Sequence, residues 1–387
     1  MKKFLYIGIL GIILFEIANV YFIMPFWGSQ ETDNVAFAYF LYQWRWLFRL
    51  FFLLLVFLGI KSVFQNSSKV SKAFTIILSL LGIVVAYLTN FKMAADAMFL
   101  QTQKLTFEQA TESQIDTSKI IIGITYKDVA KAYPIQFLGY HHQVMDKIGE
   151  KAVIVTYCTV CRTGRVFEPT VAGKAENFRL VGMNQYNAMF EDASTQSWWQ
   201  QATGEAVAGT LKGQFLPELE SRQMSLGKWL ALYPNSLIMQ PDLTFKAEYD
   251  SLSNYESGKR KGRLTRRDTL SWQDKSWVVG VVLGKASKVY DWNRLEKEKI
   301  IHDELDKKPI VLILADDKKT FVAFRRDNVN QRFIFKNDSL FTAHSSYSLA
   351  GISANDTVSN LLKISAYQEY WHSWRTFHPT TEKEETQ

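Results

Sequence analysis

"IIGITYKDVAKAYPIQFLGYHHQVMDKIGEKAVIV", residues 121–155, aligns without a gap to "VVGVVLGKASKVYDWNRLEKEKIIHDELDKKPIVL", residues 278–312. Six pairs are identical: Gly123/Gly280, Lys131/Lys288, Tyr133/Tyr290, Leu138/Leu295, Asp146/Asp303 and Lys151/Lys308. The apolar positions Ile121, Ile122, Ile124, Val144, Ile148, Val153 and Val155 all meet Val, Ile or Leu. Farther on, Thr163 meets Thr320, Phe167 meets Phe324, and "WLALYP" (229–234) answers "WRTFHP" (374–379). A shared apolar pattern with shared punctuation is the mark of a repeated supersecondary unit. The sequence therefore predicts an ancient duplication, with halves of about 118–242 and 275–380.

Around these segments the texture is one of short β-branched runs, "KIIIGI", "SWVVGVVLG" and "PIVLIL", separated by Gly, Asp and Asn turns. That pattern predicts an α+β, β-rich domain over 119–380. Between the halves, residues 248–268 carry a basic run from Lys259 to Arg267, read as a solvated linker face. Residues 93–118 are polar and read as a connector.

Upstream lie three apolar stretches, Phe4 to Met24, Leu47 to Phe64 and Ala73 to Phe91. Each is close to the roughly 20 residues that cross a bilayer as a helix. The first lacks an Ala-x-Ala cleavage pattern and is too long for a signal-peptide core, so residues 1–92 read as a retained three-helix anchor in the lipid bilayer through residues 4–91. Lys2 and Lys3 precede the first span, and Lys61, Lys69 and Lys72 lie between the second and third. The positive-inside rule assigns both groups to the cytoplasm and leaves everything after Phe91 outside, on an inner or cytoplasmic membrane. Arg45 and Arg49 break the rule at the outer end of the second span and are expected to snorkel. Glu16 and Asn19, inside the first span, are expected to hydrogen-bond between helices. This membrane-flanking charge accounts for much of the net +7, so no nucleic-acid partner is predicted.

The chain has two cysteines, Cys158 and Cys161, in "VTYCTVCRTGRVF". The duplication places Ala315 and Lys318 opposite them, so the scaffold does not require the thiols. A zinc ribbon needs a second cysteine pair, which is lacking. A thioredoxin site needs a helix start after the motif, and "RTGRVFEP" is a poor one. Three readings remain. Cys158 and Cys161 with His141 (or His142) form a metal site, copper preferred or zinc by ligand softness; the pair does thiol redox chemistry; or the cysteines are structural, a short-loop disulfide or two buried thiols, in a non-catalytic envelope module. Tyr133, Arg162, Asp192 and Trp199 are candidate pocket residues. Ser197, His141 and Asp192 have the residue types of a hydrolase triad, but no G-x-S-x-G surrounds the serine.

The ordered motifs "AYPIQFLGYHHQVMD", "VTYCTVC", "NAMFEDASTQSWWQQATGEAVAG" and "WLALYPNS" resemble the bacterial domain of unknown function family 3179, over about 120 to 380. The resemblance implies that the family histidine falls on His141 and its cysteines on Cys158 and Cys161. Met145 stands where the family usually has Asn, and "CTVC" replaces "CPLC". It implies no established activity.

Overall fold

A computed structural model describes residues 1–384. The chain divides into two compact units, one of residues 1–100, 176–200 and 205–215, the other of 101–175, 201–204 and 216–384.

In the first unit, helices Lys2–Tyr21, Arg45–Asn66 and the continuous segment Lys69–Lys92 are each long and apolar enough to cross a membrane. The first two meet at glycines. A Cβ on Gly59 would lie 2.4 Å from Leu5 N, and one on Gly8 would lie 2.7 Å from Phe52 O. Such close backbone approach is how helices associate where apolar surface gains nothing over lipid. Glu16, almost fully buried, ties the bundle together. Its carboxylate accepts from Arg49 Nε at 2.7 Å and Nη2 at 3.0 Å, and from Asn90 Nδ2 at 2.8 Å. Arg49 thus points into the bundle and does not snorkel, while the interhelix role expected of Glu16 is borne out. Asn19 Oδ1 is buried with no hydrogen-bond partner.

The same unit contains a four-stranded antiparallel sheet, Ala206–Ala208, Trp198–Gln200, Asn187–Asp192 and Phe178–Asn184. Its apolar face (Val181, Met189, Trp198, Ala208) packs on Val35 and Ala38 of the short helix Val35–Gln43. Residues that the sequence reading places inside the first half of the β-rich domain therefore group with the helices.

The second unit holds the remaining strands, and the two aligned segments build the same structure. Strands Ile120–Tyr126 and Val129–Pro134, helix Ile135–His141 and strands Gln143–Ile148, Lys151–Cys158 and Thr163–Phe167 recur in order. Their counterparts are Trp277–Leu283, Ala286–Asp291, Trp292–Glu298, Ile300–Leu305, Lys308–Leu314 and Phe321–Arg325. Each half closes with a strand, a helix and a short strand: Ser221–Ser225, Leu226–Leu232 and Leu237–Met239, against Lys363–Tyr370, Trp371–Phe377 and Glu382–Lys383. The registers coincide. Met224 pairs Ile121 as Glu369 pairs Val278, and Leu237 lies parallel to Lys131 as Glu382 does to Lys288.

Side-chain contacts recur with the ladder. Tyr133 Oη and Lys131 Nζ both reach Asp146, each at 2.7 Å, and Tyr290 and Lys288 reach Asp303 at 3.0 and 2.7 Å. Gly123 lies under the ring of Trp229 and Gly280 under that of Trp374. The two indoles donate to Ser236 and Thr381, at 2.7 and 3.0 Å. Each glycine leaves room on its strand for a tryptophan from the half's closing helix, which is why this pair survives among so few identities. Two stretches read as linkers also join the fold. Phe107–Gln109 is an edge strand paired with Leu237–Met239, and Tyr249, Leu252 and Tyr255 enter the core ahead of the exposed basic residues.

Candidate functional site

Cys158 ends strand Lys151–Cys158, and its register partner Thr163 opens the next strand, so "TVCR" is the four-residue turn of a β-hairpin. Arg162 takes the left-handed conformation this turn demands, at φ 58°. A strand and not a helix follows the motif, as expected. Arg162 Nε donates to Gln368 at 2.9 Å and its guanidinium lies 3.9 Å from the Trp277 ring centre. It is fully buried and braces the turn.

The cysteines are not joined in a disulfide and are 1% and 0% exposed, so any reagent must penetrate to them. Burial pushes the Cys161 thiol well up, and the hydrogen bond and charge of Cys158 beside it add to this. Ser373 and Lys275 act the other way. Lys275 Nζ donates to Val160 O, within the turn, at 2.7 Å. Burial draws this ammonium down to about 8, although the two sulfurs favour its charge.

One histidine beside the thiols, His372, comes from the closing helix of the second half. Its Nε2 lies 4.0 Å from Cys161 Sγ, and its Nδ1 lies 3.0 Å from the carbonyl oxygen of Asp274. A carbonyl can only accept, so Nδ1 carries the proton and Nε2 presents a lone pair to the sulfur. Burial holds His372 at about 3, with Lys275 pushing the same way. The resting site is therefore neutral thiol and neutral imidazole beside an ammonium. Tyr370 N donates to Cys161 O at 2.9 Å, and Thr163 Oγ1 lies 3.3 Å from Ser373 Oγ.

The equivalent junction, between the other hairpin and the other closing helix, lacks this chemistry. Leu226 N donates to Lys119 O and Gly227 N to Thr117 O, just as Trp371 N donates to Ser276 O and His372 N to Asp274 O. Gly227 thus stands where His372 does, and Ala315 and Lys318 stand for the cysteines. There Asp317 accepts from Ser225 Oγ, Thr320 Oγ1 and the backbone of Lys319 and Thr320, a saturated polar knot.

The other sequence candidates make contacts of their own. His141 Nε2 is 2.6 Å from Tyr249 Oη, and its ring packs against Tyr140, Phe245 and Tyr249. His142, at φ 62°, turns Nδ1 to Tyr140 O at 3.0 Å, and burial lowers it to about 4. Tyr133 is a core residue bonded to Asp146. Asp192 knots a turn, accepting from Thr195 N, Ser197 N and Trp199 Nε1. Among the described residues no group of three or more His, Cys, Asp or Glu side chains is arranged to hold a metal ion. A four-coordinate zinc site does not fit this arrangement.

A family model described as "Protein of unknown function (DUF3179)" matches residues 101–381. No curated protein and no solved structure matches the chain significantly.

Proposed function

Because the chain belongs to the DUF3179 family, whose description assigns no activity, we propose from its own residues that it is a membrane-anchored dithiol protein, its thiol domain held outside the cytoplasm. The observation that carries this is the asymmetry of the two junctions. Cys158, Cys161, His372 and Lys275 come together at one, and all four are replaced at the other, where plain hydrogen bonds hold the same backbone contacts. The lysines at positions 2, 3, 61, 69 and 72 support the orientation.

In this reading Cys161 Sγ–H passes its proton to His372 Nε2, a step that burial makes uphill at rest, and Lys275 offsets the charge of the thiolate. The thiolate attacks one sulfur of a disulfide, whose other sulfur leaves as a thiolate and takes up a proton. Cys158 then loses its proton and displaces the second sulfur, closing Cys158–Cys161. Two thiols are oxidised and one disulfide, of a small thiol or a protein, is reduced to two thiols.

A second reading rests on the same two sulfurs in one turn, whose carbonyl at Val160 holds the Lys275 ammonium. Two thiolates are soft donors suited to copper(I), and Lys275 would offset their surplus charge.

One experiment tests both. Free thiols are counted in the detergent-solubilised full chain across a series of glutathione redox buffers, with metal content measured on the same samples. The dithiol reading predicts a reversible two-thiol transition with one midpoint, absent in Cys158→Ser and slowed in His372→Ala. No transition at any poise overturns it. Stoichiometric copper in the reduced wild type, lost in Cys158→Ser, favours the second reading.

A further inference from the structure

We infer that the three-helix bundle holds one phospholipid, its phosphate at Arg45 and one acyl chain along a groove in the bundle wall. The groove has a volume of about 900 Å³, within the usual range of small-molecule sites. Its walls include Ile9, Ile12, Leu53, Val56 and Gly82, and its polar end is formed by Glu16, Arg45, Arg49 and Asn90. From Arg45 to Val56 the helix Arg45–Asn66 rises about 16 Å, which is close to half of a ~30 Å hydrocarbon core. The groove therefore has the length of a single leaflet's chain.

Charge completes the match. Arg49 is paired with Glu16, whereas among the described residues no carboxylate pairs with Arg45. Arg45 donates to Tyr42 O and lies 3.9 Å from the Tyr42 ring centre, which leaves donors on its guanidinium for an anion. Arg45 and Asn90 also line a second cavity of about 250 Å³, with Asn19, Asp96 and Arg179. Arg179 is bound there to Asp96 and Glu191, so Arg45 remains the unpaired cation. Asn19, whose buried Oδ1 lacks a partner, lines this cavity and would accept from a headgroup hydroxyl or ammonium. An arginine in the wrong place for the positive-inside rule thereby acquires a purpose, because guanidinium forks suit phosphate.

The test is native mass spectrometry of the full chain washed in detergent. Wild type is expected to retain one phospholipid, and Arg45→Gln to lower retention at least about tenfold, as loss of a charge-assisted pair would. Ala86→Phe, which fills the groove and leaves Arg45 intact, should do the same, and Arg45→Lys should keep part of it. Equal retention in wild type, Arg45→Gln and Ala86→Phe overturns the inference, as does a retained neutral lipid or detergent in place of a phospholipid.

Discussion

Gly280→Ala tests whether the tryptophans of the closing helices set the limits of this fold. The added Cβ would lie 2.1–2.2 Å from three atoms of the Trp374 ring, far inside contact distance. The ring cannot retreat cheaply. It is fully buried, its Nε1 is held by Thr381 at 3.0 Å, and it stacks on His378 at 3.8 Å. Overpacking of this kind costs about 1–3 kcal/mol. A displaced indole hydrogen bond adds about 1 kcal/mol. Replacing a strand glycine returns about 0.5–1 kcal/mol of chain entropy. The net expectation is a loss of about 2 kcal/mol, with a similar loss for Gly123→Ala, whose Cβ would meet Trp229 at 2.4 Å. Urea unfolding of the solubilised full chain, read by proteolysis of the unfolded fraction, should show the midpoint falling by about 1 M. In a Trp374→Leu background the ring atoms are gone, and the penalty of Gly280→Ala should drop by at least about 1 kcal/mol. Gly227→Ala is the control: its Cβ meets nothing closer than 3.4 Å, within a helix, so it should stabilise by about 0.5–1 kcal/mol. A neutral Gly280→Ala, or a penalty unchanged in the Leu background, refutes the packing argument.

Asp242 ties the first residues of the second unit to its core, accepting from Gln103 N, Lys104 N and Thr244 N at 2.9–3.1 Å. Burial pushes its carboxyl up, but the hydrogen bonds from Thr244, Lys104 and Gln103 outweigh this and hold it at about 2. A depressed carboxyl contributes stability that is present above the unfolded value near 3.8 and lost as pH falls toward 2. Asp242→Ala should therefore cost about 2 kcal/mol at pH 7 and progressively less in acid melts below pH 4. Arg165→Ala should cost about 3–5 kcal/mol in the same unfolding assay, because it strands the fully buried Glu369, now 2.7 Å from Arg165 Nη2. Maleimide labelling of the reduced native chain should be slow at both cysteines and become fast only in denaturant, since their exposure is 1% and 0%. Rapid native labelling would mean that the hairpin turn opens readily.

The ladder of the β-rich domain was legible because register and burial act on every residue of a strand. A one-residue slip would turn Ile122, Ile124 and Val155 out of the core, so apolar positions survive a duplication even when identities do not. The three long apolar helices were legible from length and composition alone. The sheet at 178–208 was not, since nothing local in "NAMFEDASTQSWW" says whether its apolar face meets strands or the helix Val35–Gln43. His372 was not legible beside the thiols for a related reason, since it lies 211 positions from Cys161.

A signal for His372 was nevertheless present. The repeated Trp229 and Trp374 fix a second offset of 145 for the closing helices, against 157 for the earlier strands. Applied to His372, that offset gives Gly227, a chemically bearing residue in one half opposite a blank in the other, as with Cys158 and Ala315. Positions required by packing are alike in the two halves, as Gly123 with Gly280 and Tyr133 with Tyr290 are. Positions released from packing are free to diverge on one side. Cys158, Cys161 and His372 diverge together and meet in space, whereas loss of constraint at unrelated sites would have scattered them. That coincidence is the asymmetry on which the proposed thiol site rests, and His372→Ala probes it directly.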